Sequence, residues 1–232
     1  MEKVNKTEQY RKTGIFHRRN SDECQDVVYY REKDDYSMIV LADGVTSCVN
    51  GGIGARLACE TVLDFYMDEA EYLEHFPEQK MAALITEQVR FRLEEEARKN
   101  QNSLETYAST LAFVFYNKRS ENLTAFNLGD GGIFWTDRKE CHSLLLPSGR
   151  SEIGTFTTMD GIAGRIRIER RKAKGMESVW ICSDGVLNEM REWSLEKGLK
   201  RDMIRRDYME AKERLDLLQA EDDCSFIAMK IR

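Results

Sequence analysis

The chain has 232 residues, 33% of them Asp, Glu, Lys or Arg, and a formal net charge of −6. That length fills one core and is short for two, so a single domain over 1–232 is expected. The acidic balance leaves no overall basic footprint for nucleic acid, and no apolar run approaches the roughly 18 residues of a membrane span, so neither partner is expected.

Residues 1–13 are polar and of mixed charge, without the apolar stretch of an export signal, which predicts a cytoplasmic protein. The six cysteines, at 24, 48, 59, 141, 182 and 224, contain no CxxC pair. Reduced thiols, mostly small buried core residues, are expected rather than disulfides or a zinc site. Apolar runs at 27–30 and 37–42 predict two paired strands around the charged turn 31–35. Over 53–67, Ile53, Leu57, Ala58, Val62, Leu63, Phe65 and Tyr66 recur with helical spacing. A second amphipathic helix is predicted over 81–98, where Leu84, Ile85, Val89, Phe91 and Leu93 stand among charges.

Both helices need a surface to cover. The β-rich runs 110–116 and 123–128, joined by a polar turn at 117–122, read as a hairpin, and Gly129-Asp-Gly-Gly132 turns tightly into a strand at 133–136. The segment 137–164 contains Pro147 and several glycines and reads as loop-rich, and 165–170 alternates Arg and Ile before Glu and Arg as an edge strand does. A strand-like run at 179–183, a short helix at 186–190, longer helical stretches within 194–218 and a last strand at 224–231 complete the chain. Strands in sequential hairpins, with one helix pair early and another late, fit two packed antiparallel sheets flanked by helices better than a parallel doubly wound sheet.

Three apolar runs meet aspartate: 38–42 leads into Asp43-Gly44, 179–183 into Asp184-Gly185, and Asp222-Asp223 precedes 224–231. A carboxylate at a buried strand end is costly unless a cation neutralises it. Hard divalent cations bind such oxygen clusters, and three histidines without Cys-His spacing argue against zinc. Asn50-Gly-Gly-Ile-Gly54 precedes a helix but lacks the Lys-Ser/Thr and spacing of a nucleotide phosphate loop.

In order, Gln25-Asp26, Ala42-Asp43-Gly44, Ser109-Thr110-Leu111, Leu128-Gly129-Asp130, Cys182-Ser183-Asp184-Gly185 and Asp222-Asp223-Cys224-Ser225 resemble the successive motifs of the metal-dependent type-2C Ser/Thr protein phosphatases. The likeness spans nearly the whole chain. It implies an α+β fold, a four-layer α-β-β-α sandwich of two antiparallel sheets, with a binuclear Mn or Mg centre at one end and hydrolysis of phosphoserine and phosphothreonine. Carried over, Asp43 bridges the two metals with the Gly44 carbonyl on one of them, Asp184 and Asp222 hold the other, and Asp26 supports the first directly or through water. Asp130 matches the aspartate that, in bacterial members, helps bind a third, weaker metal. Two such ions can activate a bridging water and aim it at phosphorus, with no phosphoenzyme. Asp43, Asp184 and Asp222 are thus the expected catalytic set.

The sequence departs from that family's pattern in several places. Gln25 stands where many members carry Glu, Val45 follows Asp43-Gly44 where animal members have histidine, Gly131-Gly132 replaces Ser and Arg, and Asp223 replaces Asn. Proton delivery to the leaving alkoxide must then come from metal-bound water or elsewhere. The short 137–164 segment implies a reduced flap and a more open cleft. For the substrate dianion, His17-Arg18-Arg19 offers candidates, and Arg19 is favoured, because guanidinium bonds phosphate bidentately. The expected partner is a phosphorylated protein, a Ser/Thr kinase or its target, met by a monomer. The competing reading is a phosphoprotein-binding regulatory module with impaired chemistry, against which three retained, mutually repelling carboxylates argue.

Overall fold

The structure, a computed structural model, describes residues 7–20, 23–147 and 156–231. Among these, the elements follow as β1 (Thr7–Lys12), α1 (Ile15–Arg19), β2 (Val27–Lys33), β3 (Tyr36–Ala42), α2 (Gly51–Asp68), α3 (Ala70–Leu73), α4 (Glu78–Lys99), β4 (Leu111–Asn117), β5 (Asn122–Leu128), β6 (Gly132–Thr136), β7 (Cys141–Leu145), β8 (Arg167–Lys172), β9 (Ser178–Cys182), α5 (Asp184–Glu189), α6 (Trp193–Arg205), α7 (Tyr208–Asp216) and β10 (Cys224–Lys230). They form two five-stranded antiparallel sheets, ordered β2-β3-β4-β5-β8 and β1-β10-β9-β6-β7.

Strand side chains alternate faces with period two, and the central strands bury both. In β3, Ile39 and Leu41 face the opposite sheet, while Met38, Val40 and Ala42 meet α2 and α4. In β9 and β10, Val179, Ile181, Ile227 and Met229 fill the space between sheets, whereas Trp180, Cys182, Phe226 and Ala228 pack under α5, α6 and α7. Fully burying each large aliphatic contributes roughly 1.5–3 kcal/mol, so the inter-sheet layer fixes how the two sheets are stacked. Four layers result, α-β-β-α, as expected.

The differences lie at the edges. The polar start of the chain contributes β1, which pairs with β10 and buries only Tyr10. The segment read as loop-rich contains β7, which pairs with β6, and a 3₁₀ turn at Ile162–Arg165. An edge strand exposes one face and one ladder, so neither shows an apolar run. Residues 148–155 of that segment, and 1–6, lie outside the described residues. The hairpins are also not all sequential: β1 and β10, from opposite ends of the chain, are neighbours in one sheet. The six cysteines are free.

Candidate active site

The strand ends that carry the aspartates gather at one end of the sandwich. Asp43 follows β3, Asp130 lies on the crossing from β5 in one sheet to β6 in the other, Asp184 opens α5 directly after β9, and Asp222 precedes β10. A cleft of about 340 Å³ is lined there by Phe16, Asp43, Gly44, Val45, Thr46, Ser47, Thr110, Asp130, Phe156, Asp184 and Asp222.

Local bonding fixes each carboxylate. The Asp43 amide donates to Thr110 Oγ1 at 2.9 Å and its carbonyl accepts from the Thr110 amide at 2.8 Å, while the Gly44 amide donates to the Gln25 carbonyl. Ser109 is packed against Thr157 rather than exposed, so the Ser109-Thr110 pair serves as a strand start. Ser183 joins β9 to β10: its amide donates to the Ser225 carbonyl at 2.9 Å and its Oγ accepts from the Ser225 amide at 3.0 Å. Gly185 lets α5 begin against this segment, since a Cβ there would overlap the Asp223 carbonyl oxygen. Gly129 takes φ +112°, and a Cβ would stand 2.6 Å from Thr110 Cγ2, so glycine is required both by backbone and by space. The Asn127 amide group closes that turn by donating to the Gly131 carbonyl at 2.7 Å.

The electrostatics are unfavourable for carboxylates alone. Burial, with Asp223 and Asp184 nearby, pushes the fully buried Asp26 up to about 7. Burial and the neighbouring Asp26 and Asp184 hold Asp43 well above the usual carboxylate range. Asp184 rises to about 6 through burial and the charges of Asp130 and Asp222, and Asp130 is raised by burial and Asp222. Asp43 and Asp184 keep part of their surface open to the cleft, yet their surroundings are protein, and that desolvation dominates. Both Asp26 oxygens and one Asp184 oxygen are buried without a hydrogen-bond partner among the described residues, although Ser225 and Asp43 stand near enough to act on the Asp26 charge. No group of three or more His, Cys, Asp or Glu among the described residues is already drawn together tightly enough to cage an ion. The fit to a cation therefore rests on the orphaned oxygens, the mutual repulsion and the all-oxygen donor set, which suits Mg or Mn.

Asp43, Gly44, Asp130, Asp184 and Asp222 are thus brought together, with Asp26 buried beneath them. Arg19 is not in that lining: it is exposed at the end of α1, as is Arg18, whose Nε donates to the Gly14 carbonyl. Phe16, three residues before Arg19, does line the cleft.

Sequence reasoning missed three contributors. Phe16 and Phe156 form apolar walls, and Asp223 ties the start of the chain to the site by accepting from the amides of Gly14 and Gln25, both at 2.7 Å. His17 Nδ1 stands 3.0 Å from Asp223 Oδ1, both side chains nearly fully buried, at ion-pair distance without hydrogen-bond alignment. Adjacent acids at 222 and 223 signal two roles: successive side chains entering a strand point opposite ways, so one can face the cleft while the other faces the chain start.

Among solved structures, the chain resembles the serine/threonine phosphatase Stp1 from Staphylococcus aureus (TM-score 0.71, 14% identity, 97% of this chain and 94% of that one). It also resembles a bacterial serine phosphatase (TM-score 0.70, 14% identity, 97% of each chain). A third likeness is to the catalytic domain of the serine/threonine protein phosphatase PstP in complex with two manganese ions (TM-score 0.66, 14% identity, 97% and 96%). At that identity the likeness is one of fold. No curated protein matches the sequence. Residues 13–218 match the family model described as protein phosphatase 2C, which covers most of the chain and every aspartate of the cleft except Asp222. The chain therefore belongs to the protein phosphatase 2C family, whose members are metal-dependent phosphoprotein phosphatases.

Proposed function

We propose that this protein hydrolyses phosphoserine and phosphothreonine in protein substrates at the Asp43–Asp184–Asp222 cleft, using two Mn or Mg ions and a weaker third. One observation carries this reading: the partly buried carboxylates Asp43, Asp130, Asp184 and Asp222, from four separate stretches of chain, converge at one cleft above the fully buried Asp26, where, unneutralised, they repel one another. Two bound cations would supply charge neutralisation for the phosphoryl oxygens and acidify the attacking water. Asp43 and the Gly44 carbonyl would hold one ion, Asp184 and Asp222 the other, Asp26 would support Asp43 from beneath, and Asp130 with Asp184 would take the third. Among the described lining residues there is no histidine. The open cleft, walled by Phe16 and Phe156, suits a phosphorylated side chain presented on a peptide, and a single-domain cytoplasmic monomer acting on a kinase or its target fits this chemistry. Among the described residues no helix is long and apolar enough to cross a membrane.

The test is hydrolysis of a phosphothreonine peptide, expected with Mn and lost in EDTA; turnover that survives the chelator would refute the proposal. Arg19 lies one helical turn beyond Phe16 on the same face of α1, so its long side chain can swing to the cleft mouth. Arg19→Ala is expected to raise KM for the phosphopeptide about tenfold, with a smaller change in kcat, as loss of a ground-state phosphate contact does. The same change at Arg18 should alter KM less; equal effects would remove the assignment.

A further inference from the structure

Away from the cleft, α6 carries a second surface with its own chemistry. Trp193, Lys197, Lys200, Arg201, Ile204 and Arg205 recur at helical spacing on its outer face, while Leu195, Gly198, Leu199, Asp202 and Met203 face inward. With Lys139, from the turn between β6 and β7, and Glu196 they line a groove of about 490 Å³, larger than the catalytic cleft. The groove carries five cations against one anion in a chain whose net charge is −6. Trp193 is 70% exposed, with Lys197 Nζ 4.9 Å above its ring.

Lys200 is paired with Glu196, and Arg201 approaches Asp202, but Lys139, Lys197 and Arg205 have no ion-pair partner among the described residues. An exposed Trp beside Arg is the composition enriched at interface centres, and the lysines around them add positive charge. We propose that this groove docks an acidic peptide segment of a partner protein, with an apolar side chain seated against Trp193. From Trp193 to Arg205 the helix rises ~18 Å, the length of about six extended residues.

The cations are shared between a helix and the β6–β7 turn, and the occupant proposed is a peptide, with an anionic bilayer separated from it by the test. A second copy of this chain is the competing occupant that the test separates, since the acidic cavity around α3 has five carboxylates, of which Asp68 is paired with Lys33 at 3.0 Å and Glu74 accepts from Asn117 at 2.9 Å. The groove shares no residue with the catalytic cleft, so docking would recruit substrate without entering the chemistry.

The test is fluorescence anisotropy of a labelled heptapeptide, six Glu around a central Phe, titrated with the full chain. Binding is expected, weakened by salt, and reduced at least tenfold by Lys139→Glu, Lys197→Glu and Arg205→Glu together, or by Trp193→Ala. The same charge change placed on α4, through Arg92→Glu, Arg98→Glu and Lys99→Glu, should leave it within about twofold, and hydrolysis of p-nitrophenyl phosphate should be unchanged in all variants. Several results would overturn the proposal: no binding; equal loss with the α4 variant; binding to phosphatidylserine vesicles without binding to the peptide; or salt-sensitive self-association abolished by the groove variant.

Discussion

Asp184→Asn should reduce turnover of a phosphothreonine peptide by roughly 10³-fold or more, the scale seen when a group that acts on transition-state charge is removed. The side chain keeps its shape, Ser183 still joins β9 to β10, and the α5 start against Asp223 is untouched, so the fold should persist. The same substitution should stabilise the metal-free protein. Burial and the charges of Asp130 and Asp222 oppose ionisation of Asp184, raising it to about 6. At pH 8 that opposition costs the folded state about 3 kcal/mol, which a neutral amide relieves. A loss of activity accompanied by a rise in metal-free melting temperature separates a cation-holding carboxylate from a structural one. Near-normal turnover in Asp184→Asn would defeat the assignment.

The stability of the whole site should depend on pH with a sign opposite to that of ordinary salt-bridged carboxylates. Asp26, Asp43 and Asp184 have folded values raised above the unfolded carboxylate value, Asp26 to about 7 and Asp184 to about 6. Their contribution is present below the unfolded value, near pH 4, and is lost as pH rises through about 6 to 7. Bound cations would reverse this, because they favour the ionised form. The difference in melting temperature between Mn and EDTA samples should therefore be small near pH 5 and reach roughly 5–10 °C at pH 8. Comparing the two samples at each pH cancels the titration of every group outside the site. A difference independent of pH would show that these carboxylates are not the groups the metal meets.

Much of the fold was legible because its central strands are buried on both faces. The runs containing Met38 to Ala42, Leu111 to Tyr116 and Phe226 to Met229 are apolar throughout, and the helices covering them repeat Leu and Ile at helical spacing. The edge strands were not legible, since β1 buries only Tyr10 and β7 contains no fully buried residue. The site was legible in its carboxylates, because Asp-Gly pairs at strand ends mark both a turn and an oxygen ligand. Its walls were not: Phe16 precedes a basic stretch and Phe156 follows a glycine-containing segment, and neither has a periodic signal. Asp223 was readable only as a departure from a pattern, whereas the structure gives it a separate task, holding Gly14, His17 and Gln25 against the strand that carries Asp222.

Calorimetric titration of the metal-free chain with manganese at pH 8 bears on all of this at once. Two tight ions per chain, with a weaker third, are expected, and Asp184→Asn should lose at least one tight site while remaining folded. A chain that takes up no manganese, or that binds it equally well in the Asp184→Asn variant, would contradict the cation-filled cleft.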